Sequence, residues 1–201
     1  MALINESHPE EFILLGFDDR PWLELPLFVI LLITYPMAMM GNIAIILVSK
    51  LDPSLHSPMY FFLTNLSFLD MCYTTSIVPQ MLFNLGSSKK IISYVGCAVQ
   101  LFLFSTMGST ECLLLALMAV DRYVAICRPL HYTLIMNQHI CILLVSIMWI
   151  SGITYGVFEV TLTLQLPLCG INKLDHLFCE IPVLIKTACG EKEANEFTLS
   201  L

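Results

Sequence analysis

Charge is the first thing this sequence is short of. Only 12% of its 201 residues are Asp, Glu, Lys or Arg, about half the roughly 25% of an ordinary globular domain. Too few charges are present to cover the surface of a soluble domain of this length. Basic residues are scarcer still: 9 Lys and Arg against 16 Asp and Glu, a net charge of −7. That leaves no basic excess to neutralise phosphates, which excludes nucleic acid as a partner. Low-complexity polar tracts and fixed-period repeats are also absent, and 57% of the residues are apolar, which excludes a disordered chain. A basic-then-apolar cleavable leader is missing from the first 24 residues, which carry Glu6, Glu10, Glu11, Asp18 and Asp19 instead. Catalytic groupings are missing too. His8, His56, His131, His139 and His176 are scattered, with no Ser-His, Cys-His or metal-spaced cluster, so the chain is not expected to be an enzyme. What remains is a membrane protein with a mean hydropathy of +0.81.

Four apolar stretches reach the roughly 20 residues a membrane-crossing helix needs. They run from about Leu25 to Val48, Pro58 to Leu82, Cys97 to Val120 and Ile140 to Leu164. None alternates with the period of two that marks a membrane barrel strand. Pro36 and Pro79 fall inside the first two, and membrane helices tolerate them. The expected fold is an all-α, multi-span bundle: a tail over 1–24, four helices with short loops over 25–164, and over 165–201 a loop on the same side as the tail followed by the start of a truncated fifth span.

Orientation rests on two signals, because Lys and Arg are spread over both sides. Asn5-Glu6-Ser7 is a glycosylation sequon in a polar segment, useful only on the luminal side, which makes Asn5 a candidate glycan site. Asn65-Leu66-Ser67, inside the second span, is a chance match. Of eight cysteines, Cys97, Cys169, Cys179 and Cys189 all thread to the N-terminal side, as an oxidising compartment would produce. The alternative is a set of free cysteines packed as small apolar residues. The N-terminus is expected outside.

Two ionisable residues lie within the spans, where each is costly. Asp70 is about 18 Å along its helix from Pro58, and Glu111 about 16 Å from Arg122, at 1.5 Å per residue. The two carboxylates therefore sit at nearly one depth. Adjacent carboxylates in low dielectric either share a cation, here Na⁺ with its preference for oxygen ligands, or hold a proton between them. Both readings stand at this level.

Along the third span Phe104, Gly108, Glu111, Leu115, Met118 and Arg122 recur at spacings of four and three, on one face. Gly108, with Ser105 and Ser109 beside it, makes a small-residue notch suited to a small, mostly apolar ligand; ordinary helix packing explains such a notch equally. Phe104, Ser105, Gly108, Ser109 and Cys112 are the candidate pocket residues. Asp121-Arg122-Tyr123 closes the span. The neighbouring aspartate and arginine can pair locally, holding a cation at the helix end until a partner takes it.

Met118-Ala119-Val120-Asp121-Arg122-Tyr123-Val124-Ala125-Ile126-Cys127, followed by Arg128-Pro129-Leu130-His131-Tyr132, closely resembles the signature of olfactory receptors in the rhodopsin-like G-protein-coupled class. Leu55-His56-Ser57-Pro58-Met59-Tyr60-Phe61-Phe62-Leu63, then Leu66-Ser67-Phe68-Leu69-Asp70, is similar to that family's entrance to the second span. Gly41-Asn42, Ser93-Tyr94 with Gly96-Cys97, Trp149, and the loop holding Cys169, His176, Cys179, Glu180 and Cys189 also fit. Val120 departs, where the family more often has Tyr. The resemblance implies an odorant receptor of the plasma membrane, multi-pass, coupled through Asp121, Arg122 and Tyr123 to a heterotrimeric, stimulatory G protein and so to cyclic AMP. It implies a small odorant ligand, with membrane lipid as the surroundings. It also implies disulfides from Cys97 to Cys179 and from Cys169 to Cys189, with Cys97 to Cys189 the main alternative. The family has seven spans and this sequence stops at Leu201, about where a fifth would begin. The expectation is a receptor truncated before that span, the alternatives being a signalling-incompetent fragment or a four-span structural membrane protein.

Overall fold

A computed structural model describes residues 11–14, 16, 21–55, 57–87, 90–165, 173–174 and 178–187. Four long helices dominate: α1 (Glu24–Leu51), α2 (Pro58–Gly86), α3 (Tyr94–Cys127) and α5 (Gln138–Leu164). Short elements lie before, between and after them: β1 (Glu11–Leu14), β2 (Ile91–Ser93), α4 (Tyr132–Ile135), β3 (Lys173–Leu174) and α6 (Ile181–Thr187). Each long helix overruns its apolar stretch, because helix ends are set by caps and not by hydropathy. The Ser93 hydroxyl accepts from the Gly96 N–H at 3.1 Å where α3 begins. Asn137 does the same for the Ile140 N–H at 3.0 Å ahead of α5. Between α1 and α2, Asp52 accepts from both the N–H and the hydroxyl of Ser54 and makes the turn.

Of the described helices α1, α3 and α5 are long and apolar enough to cross a membrane. α2 is 29 residues long but is the most polar of the four, with Thr64, Asn65, Ser67, Asp70, Thr74, Thr75 and Gln80 along it. Several of these polar groups are satisfied within their own helix. Thr64, Asn65 and Thr74 donate to the carbonyls of Tyr60, Phe61 and Asp70, and Ser109, Ser146, Thr154 and Thr163 do likewise in α3 and α5. A side chain bonded to the carbonyl four residues back no longer needs water, which is how hydroxyls survive in hydrocarbon. Large apolar side chains lie outward along α1, among them Leu25 (71% exposed) and Met40 (63%). A surface of that kind belongs in lipid, and the chain is a membrane protein.

The chain forms two compact units. One comprises Met1–Leu32, Ser76–Leu103 and Phe158–Leu201. Within it the segment expected to be a plain tail supplies the central strand of a three-stranded sheet, ordered β2-β1-β3. β1 runs antiparallel to β2, with Phe12 opposite Ile92, and parallel to β3, with Leu14 opposite Leu174. Phe12, Leu14 and Leu174 are buried with Ile92, Leu101 and Leu184, while Glu11 and Ile13 face out. Glu24, at the start of α1, pairs with Lys90 beside β2.

The other unit comprises Ile33–Thr75 and Phe104–Val157. Its core is Phe62, Leu69, Leu114, Val124, Met136, Cys141, Val145 and Met148. Gly152 and Gly156 of α5 lie against Thr106 and Thr110 of α3 so closely that an added Cβ would overlap a threonine Oγ1 at either glycine. Small residues four apart bring helix backbones together in this way.

Candidate functional site

Cys97 and Cys179 form a disulfide with Cα atoms 5.4 Å apart, and both are buried. This is the pairing that the resemblance implied, in preference to Cys97 with Cys189. Cys72, Cys112, Cys127 and Cys141 are free thiols. Cys169, Cys189, Asn5 and His176 lie outside the described residues.

The α3 notch has a defined character. A Cβ built on Gly108 meets nothing within 4 Å, so among the described residues this glycine is not a packing contact, unlike Gly152 and Gly156. Phe104 lies against the Tyr73 ring at 5.4 Å. The Ser109 hydroxyl is turned inward, donating to the Ser105 carbonyl at 2.8 Å. The Ser105 hydroxyl is buried and has no partner among the described residues. Cys112 is exposed. Gly108 thus opens on free space one turn from the Phe104–Tyr73 ring pair, while the Ser105 hydroxyl is buried.

Asp70 and Glu111 are both half-buried. Among the described residues no hydrogen bond or ion pair reaches either carboxylate; the Thr74 hydroxyl goes to the Asp70 main-chain carbonyl. No group of three or more His, Cys, Asp or Glu side chains is assembled anywhere among them. A cation held by the two carboxylates would therefore draw its other oxygens from hydroxyls, carbonyls or water.

At the far end of α3 the structure departs from the expected local ion pair. Asp121 is 1% exposed and accepts a hydrogen bond from the Tyr132 hydroxyl at 2.9 Å. Arg122 faces out, and no ion pair within 4.0 Å joins the two among the described residues. The reason is geometric: neighbours in a helix point about 100° apart, so a buried aspartate leaves the next residue outside. Tyr132 lies eleven residues on, past a turn that starts at Pro129, and no local sequence pattern marks it as the partner. Beside this end is a cavity of about 400 Å³ lined by Cys127, Arg128, Pro129, Leu130, His131 and Ile135.

Burial first, then the hydrogen bond and negative charge of Asp121, push the Tyr132 phenol up to about 12. The unfolded phenol titrates near about 10, so the folded pKa is the higher one. The stabilisation is complete below that lower value and is lost as pH rises through the folded one. A Tyr132→Phe variant should melt a few degrees lower than the parent at pH 8. The gap should shrink between about pH 10 and 12. Paired melting curves at both ends of that window test this; a gap that ignores pH would mean the phenol is not held by Asp121.

The model of the seven-transmembrane receptors of the rhodopsin family matches residues 41–199. The chain belongs to that family. Within the family it is similar to olfactory receptors. It is 57% identical to human olfactory receptor 2B2 over 199 residues, 99% of this chain and 56% of that protein. It is 56% identical to mouse olfactory receptor 2B6 over 199 residues (99% and 64%), and 52% identical to human olfactory receptor 2C3 over 201 residues (100% and 63%). The chain thus spans about three fifths of the length of the curated relatives it matches. The rhodopsin-family receptors are not an enzymatic family.

Neither Gly152 and Gly156 nor Tyr132, beyond its place in the Arg128–Tyr132 motif, carries a role in the sequence reading above. For the glycines the signal is present as Gly-x-x-x-Gly in an apolar stretch. For Tyr132 only the fold supplies it.

Proposed function

We propose that this receptor detects small volatile odorants and passes the signal to a stimulatory heterotrimeric G protein, raising cyclic AMP, from the plasma membrane with its N-terminus outside. The carrying observation is 57% identity, over nearly the whole chain, to proteins named olfactory receptors. The open space at Gly108, one turn from Phe104, supports a small ligand. The exposed Arg122 and the cavity at Leu130 and His131 support a cytoplasmic partner. The orientation is supported by β1, which pairs with β2 and β3 in the same unit as the Cys97–Cys179 disulfide, a bond that an oxidising exterior maintains. Asn5 as a glycan site agrees with it.

The test is a chimera carrying these 201 residues ahead of the remaining part of olfactory receptor 2B2, read out as cyclic AMP against a panel of small volatile molecules. A ligand-dependent rise is expected. It should fall at least tenfold in Arg122→Leu, which retains surface expression. A chimera at normal surface levels that answers nothing in the panel would overturn the reading.

Within the same reading, Asp70 and Glu111 share a Na⁺ ion, supported by two half-buried carboxylates that lack a protein partner. Sodium in place of a bulky organic cation should then raise the melting temperature of the parent by a few degrees, and Asp70→Asn or Glu111→Gln should abolish the difference. Sodium dependence that survives both substitutions leaves only a shared proton.

A further inference from the structure

The α3 residue Gln100 lies outside the pocket drawn from the sequence, and it is 5% exposed. Its Oε1 accepts a hydrogen bond at 3.1 Å from the main-chain N–H of Cys179. A backbone N–H can only donate, so this bond fixes which end of the carboxamide faces Cys179. The Nε2 hydrogens must point elsewhere, and no acceptor meets them among the described residues. A buried donor without a partner is costly, and native structures rarely leave one.

Other unpartnered groups are weaker candidates. Asn84 also has a buried, unpartnered amide nitrogen. Its oxygen, however, is met by the Gln80 amide at 3.3 Å, and turning both amides would give that nitrogen an acceptor. The Thr106 hydroxyl is buried without a partner among the described residues, and as a hydroxyl its hydrogen is free to rotate, so its direction is not fixed. Gln100 alone has its orientation fixed by a group that cannot be turned round.

Its placement matters as much as its chemistry. Cys97 precedes it by three residues, on the same side of α3. The two side chains hold one residue, Cys179: Cys97 through the disulfide and Gln100 through the hydrogen bond. The donor is thereby immobilised before any ligand arrives, which lowers the entropic cost of using it.

We propose that the Gln100 carboxamide is a specificity-determining donor that selects oxygen-bearing odorants, its N–H₂ bonding a carbonyl, ester or hydroxyl oxygen while its carbonyl holds the Cys179 loop. An amide N–H₂ donates and does not accept, so a hydrocarbon gains nothing from it and a cation is repelled. The inference rests on the odorant reading above and narrows it to ligands with an acceptor oxygen.

The experiment is a double-mutant cycle in the full-length chimera. Straight-chain aldehydes, ketones, esters and alcohols are compared with alkenes of equal carbon number, in the parent and in Gln100→Met, with Gln100→Asn as the second variant. Surface expression and formation of the Cys97–Cys179 bond are monitored throughout. If Gln100 donates to the ligand, its loss raises the half-maximal concentration of the oxygenated agonists about tenfold or more. The alkenes shift much less, so the two factors differ. A purely structural role moves both classes alike, and equal factors overturn the inference while leaving the odorant reading intact. Should Met impair surface expression, the Asn variant, which keeps both amide groups but withdraws them by one carbon, gives the same comparison. A chimera silent to the whole panel would remove the odorant reading, and the ligand role of Gln100 with it.

Discussion

A Cys97→Ser receptor should lose most of its folded population at 37 °C. The bond it breaks joins residues 82 apart in sequence. Closing a loop of that length restricts the unfolded chain by about 4–5 kcal/mol in the chain-entropy treatment. The substitution also leaves hydroxyl and thiol groups where Cys97 and Cys179 are 1% and 0% exposed, and an unpartnered buried polar group costs about 1–3 kcal/mol. Set against the roughly 5–15 kcal/mol of a typical fold, the sum is most of what is available. Cys179 lies in one core with Phe12, Leu14, Leu101 and Leu174, so the loss spreads to the strand pairing around β1. Melting in detergent and surface expression are the measurements, with Cys127→Ser, an exposed free thiol, as the control that should change neither. An unaltered melting temperature in Cys97→Ser would show that the sheet and its core hold the loop without the crosslink.

The two ends of that bond illustrate what the sequence makes legible. α1, α3 and α5 follow from apolar length, α2 less clearly because it is the most polar of the four, and the caps at Ser93 and Asn137 are local patterns. The pairing of Cys97 with Cys179 came from family resemblance, because four cysteines permit three connectivities and spacing does not choose. The sheet was not legible at all. Glu11-Phe12-Ile13-Leu14 is too short and too apolar to alternate clearly, and its partners lie some 80 and 160 residues further along the chain. Strand identity there comes from partners, not from the segment itself. At Asp121 the adjacent arginine was the obvious partner by sequence. Helix geometry separates the two side chains, and the chain returns after the Pro129 turn to present Tyr132 instead. Local signals thus locate helices and the hydroxyls held within them, such as Thr110 and Thr163, whereas the partner of Asp121 comes from beyond its helix.

The second large effect is expected at Gly156 and Gly152. Gly156→Ala should lower the melting temperature by several degrees, and Gly156→Leu should prevent folding. An alanine Cβ at position 156 would overlap Thr106 Oγ1 and lie 3.2 Å from both Thr106 Cβ and Thr106 N. At position 152 it would overlap Thr110 Oγ1 and lie 3.1 Å from the Thr106 carbonyl oxygen. Rotating a threonine does not relieve this. The Thr110 hydroxyl donates to the Thr106 carbonyl at 2.7 Å, a bond that rotation breaks, and turning a β-branched side chain replaces an oxygen with a larger methyl. The backbone atoms cannot yield without moving a helix. Overpacking of this kind costs about 1–3 kcal/mol per alanine, and two such changes one turn apart share their strain and do not add. The contact can be separated from a general intolerance of Gly replacement in α5. Removing the overlapping atoms with Thr106→Ala should restore much of the stability of Gly156→Ala, whereas Thr110→Ala should not. If Gly156→Ala melts with the parent, or if both threonine variants rescue it equally, the close approach is not what these glycines are for. Because Thr106 adjoins Ser105 and lies two residues from Gly108, a partly rescued double variant should also show altered agonist potency. The helix contact and the candidate pocket are opposite sides of the same two turns of α3.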